Sequence, residues 1–117
     1  MKKLYKTFLP ELEKLAKATS KERLHILKTS SPKLIQVIGE IIFNVLKGHL
    51  RLVDHHYKKL RPYKRTLLLL ANRSKSANVK REALLKKKGG FLPVILPPII
   101  AGLATVALDK IVDAVNG

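Results

Sequence analysis

The sequence predicts an all-α fold, a small compact bundle of about five or six short helices with an apolar C-terminal helical tail. Two observations lead to this prediction. Signals that begin helices recur along the first 88 residues, where a capping side chain or a proline precedes an amphipathic stretch. The alternation and turn signals of strand pairs are missing from the sequence, and no internal repeat is visible.

The most apolar helix is expected from Pro32 to about Lys47. Ser31 offers a capping hydroxyl, Pro32 suits the first helical position, and Gly48 suits the left-handed position that ends a helix. The polar residues of this stretch recur at steps of three and four and form one narrow stripe: Lys33, Gln36, Glu40, Asn44 and Lys47. A helix with so wide an apolar surface usually lies at the centre of a bundle.

Shorter helices are expected before the central one. Pro10 begins the stretch PELEKLAKA, with acidic residues in its first turn, where the helix dipole favours negative charge. Ser20 is expected to cap the stretch KERLHILK. Both stretches place apolar residues at helical spacing, so each has one face that can pack against the central helix.

Further helices are expected after the central one. Asp54 is expected to cap HHYKKLR, and Pro62 must kink or restart the helix because proline lacks an N–H. The stretch PYKRTLLLLAN then forms the next helix. A last helix is expected over residues 77–87, begun by Ser76 and ended by Gly89.

Charge divides the chain at Gly89-Gly90. Residues 1–88 hold 23 of the 24 Lys and Arg residues and six of the eight acidic residues, a net charge of +17. Residues 89–117 hold one Lys and two Asp, a net charge of −1. We therefore expect a basic helical nucleic-acid-binding domain over 1–88 and an apolar, proline-containing tail over 89–117.

The tail contains an uncharged run over residues 91–108, FLPVILPPIIAGLATVAL. Its prolines predict that FLPVILPP is extended or broken, whereas Ile99 to Val115 has a helical pattern of apolar residues. The run reaches the length of a transmembrane helix, but the prolines argue against a simple span. An amphipathic or membrane-active segment is expected instead.

The composition excludes several classes of function. The chain has no cysteine, which excludes disulfides, thiolate zinc sites and a cysteine nucleophile. The eight acidic residues form no catalytic pair or triad, and no glycine-rich loop opens a helix onto a phosphate. Asp54-His55-His56 is not expected to bind metal, because adjacent histidines on a helix point about 100° apart. No enzymatic activity, cofactor or metal is therefore expected.

A basic stretch between Tyr57 and Gly89 is the strongest functional signal, with Glu82 as its only acid. Its candidate nucleic-acid-binding residues are Lys58, Lys59, Arg61, Lys64, Arg65, Arg73, Lys75, Lys80, Arg81, Lys86, Lys87 and Lys88. Such an array suits phosphates, and no base-reading motif accompanies it, so binding to double-stranded DNA without sequence preference is expected. Tyr57 and Tyr63 would either stack on bases or serve as core residues.

The junction and tail resemble a viral protein family. Residues 86–97 (KKKGGFLPVILP), 99–102 (IIAG) and 104–108 (ATVAL) resemble the C-terminal part of the adenoviral core protein mu precursor, also called protein X. The chain is also similar to small basic proteins of Maverick/Polinton elements and adintoviruses, in which a YKRTLLLLAN…KREALLKKKGGF type of region precedes the same apolar tail. The likeness is concentrated in residues 57–108.

The resemblance implies a non-enzymatic core or minor structural protein of a virion, located in the virion and the host nucleus. It implies packaged double-stranded DNA as a partner. Together with the uncharged run, it leads us to expect a capsid protein or a membrane as a partner of residues 91–115. It also implies that a viral cysteine protease cuts after the second glycine, at Gly89-Gly90-Phe91. Paired glycines suit a narrow protease cleft, because residues without a Cβ fit beside the scissile bond.

Two other interpretations remain open from the sequence. In the first, the protein is membrane-active, with the tail inserting into or disrupting a bilayer while the basic domain holds anionic headgroups. In the second, it is a host-type nucleic-acid-binding or adaptor domain. The sequence leaves the oligomeric state and the choice between DNA and RNA undecided.

Overall fold

A computed structural model describes residues 2–101, with the side chains of 5–101. This part of the chain is all-helical and contains no strand, as the sequence predicts. Residues 92–101 are helical up to the end of the described range. They follow seven α-helices: α1 Lys2–Thr7, α2 Leu9–Lys17, α3 Ser20–Thr29, α4 Pro32–Leu46, α5 Asp54–Leu60, α6 Lys64–Ala71 and α7 Ala77–Lys86.

Helix α4 is the centre of the core and packs against α6 and α7. Both of its predicted end signals are confirmed. The Ser31 hydroxyl accepts a hydrogen bond from the Leu34 N–H at 3.2 Å, and Gly48 after the helix has a φ of 78°. A cap of this kind typically contributes about 1 kcal/mol. The buried residues on its apolar surface are Leu34, Ile35, Val37, Ile38, Ile41, Ile42 and Val45.

Two predicted helix caps differ from prediction by one residue. Thr19, rather than Ser20, caps α3, and its hydroxyl oxygen accepts from the Glu22 N–H at 3.2 Å. Asp54 lies inside the first turn of α5 and makes no side-chain cap. In that turn its carboxylate is still near the positive end of the helix dipole. Pro62 acts as predicted, because a 3-10 turn at Arg61–Tyr63 separates α5 from α6.

The first part of the apolar tail belongs to the core. Phe91, Leu92, Ile95 and Leu96 are at most 1% exposed, and Ile99 is 4% exposed. These residues share one hydrophobic cluster with α2, α3, α4, α6 and α7. The core therefore continues across Gly89-Gly90, and the expected division between 1–88 and 89–117 follows the charge of the chain but not its packing.

The prolines do not break this segment as the sequence predicts. Pro93 lies in the first turn of the helical stretch 92–101, where a backbone N–H has no partner within the helix. Pro97 and Pro98 fall later and each remove a hydrogen bond, at a cost of about 3 kcal/mol. Burial of the apolar face offsets that cost, because each large apolar side chain contributes about 1.5–3 kcal/mol.

The remainder of the predicted tail, residues 102–117, lies outside the described residues. Among residues 2–101, no helix has both the length and the apolar character needed to cross a bilayer.

The paired glycines have a structural role at the end of α7. Lys88 has a φ of 55°, and the Gly89 N–H donates to the Leu84 carbonyl at 2.9 Å, a Schellman ending. A Cβ on Gly89, whose φ is 60°, would lie 3.0 Å from Leu27. A Cβ on Gly90 would lie 2.9 Å from the Tyr63 hydroxyl oxygen. Both glycines thus let the chain turn closely against the core.

Candidate nucleic-acid interface

The twelve predicted basic residues are not equivalent in the structure. Lys80 is buried and Arg81 is half-buried. The other ten are exposed on α5, on α6, in the 61–63 and 72–76 connections, and at the end of α7: Lys58, Lys59, Arg61, Lys64, Arg65, Arg73, Lys75, Lys86, Lys87 and Lys88. Three of the twelve, Lys80, Arg81 and Arg73, bind groups of the protein itself.

Lys80 is 2% exposed, and its Nζ donates to Oε1 of Gln36 at 3.1 Å. Burial lowers the pKa of this ammonium below its ordinary value, while Glu40 opposes the change and Arg73 adds to it. A buried cation that lacks a carboxylate in direct contact is costly unless its donors are satisfied. Lys80 therefore belongs to the interior of the fold and cannot meet a phosphate in this conformation.

Arg81 closes the end of another helix. Its Nη1 donates to the Leu27 carbonyl at 2.6 Å and to the Ser30 hydroxyl at 3.1 Å. The last carbonyls of α3 have no partner within that helix, and the negative end of the helix dipole favours a cation there. Arg81 thus ties α7 to α3, and its charge is only partly available to a ligand.

Arg73 is paired with the central helix. Its Nε and Nη2 each donate to the Glu40 carboxylate at 3.0 Å, and the guanidinium stacks 4.1 Å from the centre of the Phe43 ring. The arginine side chain is 58% exposed, so this surface pair contributes at most about 1 kcal/mol. Its positive charge is nevertheless compensated locally by Glu40.

The polar stripe of α4 is real, but other helices cover part of it. Gln36 accepts a hydrogen bond from Lys80, Glu40 accepts one from Arg73, and Asn44 is buried. The Asn44 amide donates to the Tyr5 hydroxyl at 2.8 Å, and burial raises the pKa of that phenol. The stripe therefore connects α4 to α1, to the 72–76 connection and to α7 instead of facing water along its length.

Arg23 is a structural cation that the sequence does not reveal. It is 5% exposed and donates to the Lys88 carbonyl at 3.3 Å and to the Ala18 carbonyl at 3.2 Å. Burial lowers the pKa of its guanidinium, and nearby Tyr63 opposes that change. By holding the Lys88 carbonyl, Arg23 fixes the turn that carries the last exposed lysines of α7. Nothing in the stretch KERLHILK distinguishes this arginine from a surface residue.

The structure brings three predicted cations together across α6 and α7. Arg65 on α6 and Lys86 and Lys87 at the end of α7 line one shallow groove of about 330 Å³. Glu82 lies on the same groove. We call this surface the α6–α7 basic groove, defined by Arg65, Lys86 and Lys87. Two lysines and one arginine thus lie beside one groove whose other walls include Leu69 and Val79, and cations grouped in this way can contact phosphates.

The cations of the 61–64 segment lie elsewhere. Arg61 and Lys64 line an apolar groove between α4, α5 and α6, on the other side of α6 from Arg65. Neighbouring residues on a helix point about 100° apart, which separates Lys64 from Arg65. Lys58 and Lys59 are exposed on α5 and line neither groove. The predicted continuous basic series is thus divided into separate surfaces.

The two tyrosines of the basic stretch also differ. Tyr63 is half-buried, and its ring centre lies 5.4 Å from that of buried Phe91. Tyr57 is 37% exposed, and its hydroxyl accepts from the Leu52 N–H at 3.1 Å. Tyr63 therefore packs against the core in this structure, whereas Tyr57 is partly exposed to solvent.

The expected cleavage point is enclosed. Gly89 is buried, Gly90 is half-buried, and Phe91 is fully buried beneath Tyr63. A protease must bind an extended stretch on both sides of a scissile bond, so cutting after Gly90 would require this region to open locally. The cleavage remains a prediction, and the structure adds that the folded protein should resist it.

No metal-binding arrangement is formed by the described residues, because no three His, Asp or Glu side chains come together. His55 and His56 contact each other with ring centres 4.2 Å apart. The pKa of His56 is lowered by desolvation and by the neighbouring His55 and Lys59.

Comparisons of the chain with protein-family models, with curated proteins and with solved structures gave no significant match, so the likeness to the mu precursor rests on the sequence motifs alone.

Proposed function

We propose that the protein binds double-stranded DNA through its phosphates, without reading the base sequence, and that the α6–α7 basic groove is the centre of the interface. The convergence of Arg65, Lys86 and Lys87 on one groove supports this proposal most directly. Lys88 continues the same turn and is exposed. The net charge of +16 on the chain favours association with any polyanion at long range.

The proposed interface leaves out Lys80, Arg81 and Arg73, because these three cations bind groups of the protein itself. Their partners are Gln36, the end of α3, and Glu40, so these cations stabilise the helices that present the groove. The exposed lysines on α5 lie outside this groove and add to the positive charge that attracts a duplex at long range. Affinity then comes from counterion release, which is independent of sequence.

The resemblance to the mu precursor extends this proposal to a virion. There the packaged genome is the DNA, and the protein is one of the core or minor structural proteins. That extension rests on the motifs at the junction and tail, together with the basic character of the folded part.

The membrane-active interpretation is less favoured. It relies on the apolar tail, and the described part of that tail holds Phe91, Leu92, Ile95 and Leu96 in the core. Inserting these residues into a bilayer would first remove them from the core, where each contributes about 1.5–3 kcal/mol.

The proposal is tested by titrating a labelled duplex with the full chain at several salt concentrations between about 50 and 200 mM. If about 6–10 phosphates are contacted, log affinity falls with log salt at a slope of about −5 to −9. Unrelated duplexes of one length should bind equally well. A flat salt dependence, or a strong preference for one sequence, would contradict the proposal.

A matched pair of double variants tests the location. Lys86→Gln with Lys87→Gln should reduce the magnitude of the slope by about 0.9 for each phosphate that the variant no longer neutralises. Lys14→Gln with Lys17→Gln removes the same charge from exposed positions of α2 and should leave the slope nearly unchanged. Equal effects of the two pairs would indicate a diffuse attraction without a defined interface.

A further inference from the structure

An apolar groove lies between α4, α5 and α6, away from the α6–α7 basic groove. Its volume is about 190 Å³, and its walls include Ile42 on α4, Leu60 on α5 and Leu67 on α6. Ile95, from the helical stretch 92–101, lines it as well. The walls are almost entirely hydrocarbon, so the groove suits apolar side chains.

This groove continues past the end of α4. A second, more open concavity of about 650 Å³ lies beside the connection between α4 and α5 and is lined by Leu52 and Val53. The two concavities share Val45, Leu46 and Tyr57, so they form one continuous surface. We call this surface the long apolar groove, defined by these three shared residues and the walls on either side of them.

Most of the exposed apolar surface of the described part of the chain lies along the long apolar groove. Five large hydrophobic residues are exposed among the described side chains, and four of them line it: Leu46 at 46%, Val53 at 56%, Tyr57 at 37% and Leu68 at 53%. The fifth, Val79, lines the α6–α7 basic groove. Single exposed hydrophobic residues are ordinary, whereas a contiguous set of them marks a surface that another molecule covers.

The charged residues of the long apolar groove are mainly basic. Arg61 and Lys64 line its first part, and Arg51 and Asp54 line its second part. All four are exposed, and none of them forms a salt bridge with a described residue. A complementary occupant therefore has an apolar face with acidic groups beside it.

The open shape of the groove indicates the kind of occupant. Small-molecule sites are concave and bury about 70–90% of a drug-sized ligand. Here Leu46, Tyr57 and Leu68 are open to water, so the groove covers only one face of what lies in it. An amphipathic helix binds in this way, with apolar side chains at three- and four-residue intervals directed into a groove.

The charge of the chain argues against a second copy as the occupant. Its net charge is +16, and charges of one sign keep such proteins apart. If two grooves met across a two-fold axis, the same patch would contribute from both molecules, and the cations Arg61 and Lys64 of both copies would lie in one interface. A partner that supplies acids avoids this repulsion.

We propose that the long apolar groove binds an acidic amphipathic helix of a partner protein. Apolar side chains on one face of that helix cover Leu46, Tyr57 and Leu68. Acidic side chains beside that face lie against Arg61 and Lys64. This inference does not depend on DNA binding, which is proposed for a different surface.

Two synthetic helical peptides test the proposal with the full chain. The acidic peptide has about 18 residues, or five turns, with Leu at three- and four-residue intervals and Glu on both sides of the Leu face. The control peptide has Lys in place of every Glu. Fluorescence anisotropy at about 0.15 M salt should show the acidic peptide binding about tenfold more tightly or better, because like charges at an interface repel. Equal affinities, or no binding of either peptide, would overturn the proposal.

A matched pair of substitutions tests whether the acidic peptide lies in the groove. Leu68→Gln and Val79→Gln each replace an exposed apolar side chain with a neutral polar one and leave the net charge at +16. Leu68→Gln should weaken binding by about tenfold, because an apolar contact is lost. Val79→Gln, on the other groove, should leave the affinity unchanged. Equal effects of the two substitutions would place the peptide elsewhere and refute the assignment.

Charge reversal tests the role of the two cations. Arg61→Glu with Lys64→Glu should remove the preference for the acidic peptide over the Lys peptide. Lys14→Glu with Lys17→Glu makes the same change in net charge at exposed positions of α2 and should keep that preference. If the two pairs behave alike, the overall charge of the chain attracts the peptide and the proposed contact with Arg61 and Lys64 is wrong.

Two further measurements address other occupants of the groove. Sedimentation should show the full chain as a monomer; a dimer that Leu68→Gln disperses would assign the groove to a second copy. Vesicles of phosphatidylcholine, which carry no net charge, should not bind the chain. Binding to these vesicles that Leu68→Gln abolishes would assign the groove to a membrane. Either of these results would overturn the proposal.

Discussion

The ammonium of Lys80 lies 3.1 Å from Oε1 of Gln36, in the interior of a chain whose net charge is +16. Lys80 belongs to the most basic stretch of the sequence, yet its Nζ is directed to the polar stripe of α4. Basic residues of the same stretch thus have two different roles. Lys80 and Arg81 hold α7 against α4 and α3. Arg65, Lys86 and Lys87 are exposed and remain available to a polyanion.

The first prediction separates these two roles on one helix. Lys80→Met and Lys86→Met each remove one positive charge from α7. Lys86→Met should reduce the magnitude of the salt slope of DNA binding by about 0.9, because one phosphate is no longer neutralised by an exposed ammonium. Lys80→Met should leave the slope unchanged, because the buried ammonium does not reach a phosphate. A weaker salt slope in Lys80→Met, in a variant shown to be folded by circular dichroism, would contradict the assignment.

Local signals explain how much of the fold the sequence could predict. The ends of α4 depend on Ser31, Pro32 and Gly48, which act on neighbouring backbone groups, and they fall where expected. Ser76 caps α7 for the same reason. The core character of α4 follows from its apolar surface, which needs no knowledge of the other helices.

Long-range pairing explains what the sequence could not show. The hydrogen bonds from Lys80 to Gln36 and from Arg81 to Leu27 join residues that are 44 and 54 positions apart. In sequence both cations look like members of a surface array. The prediction for the apolar stretch 92–101 is wrong for a related reason, because its prolines are a local signal and its burial depends on distant helices.

The second prediction concerns the core across the expected domain boundary. Phe91→Ala should destabilise the protein by about 3–5 kcal/mol, because the ring is fully buried beside Tyr63. Val53→Ala, at a position that is 56% exposed, is the control and should change stability much less. The measurement is urea unfolding followed by circular dichroism.

A chain that ends at Lys88 should therefore lack a cooperative unfolding transition, since it is without five core residues from 91–99. A truncated chain that unfolds cooperatively with the stability of the full chain would show that residues 1–88 form an independent domain after all.

The third prediction concerns Gly90, the second glycine of the junction. Gly90→Ala brings a Cβ to 2.9 Å from the Tyr63 hydroxyl oxygen, so the ring must shift from its position against Phe91. Gly90→Ala should therefore lower the free energy of unfolding by about 1–3 kcal/mol. Tyr63→Phe should remove most of that cost, because the next nearest ring atom would be 3.6 Å away.

Gly48→Ala, alone and combined with Tyr63→Phe, is the control for the Gly90→Ala and Tyr63→Phe pair. Gly48 has a φ of 78° and no neighbour near its Cβ position, so Gly48→Ala should cost about 1–2 kcal/mol through backbone strain alone. Tyr63→Phe should not change that cost. If Tyr63→Phe leaves the effect of Gly90→Ala intact, the close approach of the Tyr63 hydroxyl is not the reason for glycine at position 90.

The fourth prediction uses the pH dependence of stability. Burial lowers the pKa of Lys80 from its ordinary value of 10.5, so in alkaline solution the unfolded chain holds this proton more tightly than the folded protein. Stability then rises with pH wherever the unfolded state binds more protons. The contribution of Lys80 is smallest at neutral pH, where the buried ammonium carries its full desolvation cost, and it increases as pH rises towards 10.5. Lys80→Met removes this effect.

Tyr5 acts in the opposite direction, because burial raises the pKa of its phenol above 10.0. The stability from that group is fully present below pH 10.0 and is lost as pH rises through the raised value. Urea unfolding between pH 7 and about 10 should therefore show wild type gaining stability relative to Lys80→Met, with little contribution from Tyr5. The same comparison in a Tyr5→Phe background should give the same gain. A stability difference that stays constant with pH would mean that the Lys80 ammonium is as well solvated in the folded protein as in the unfolded chain.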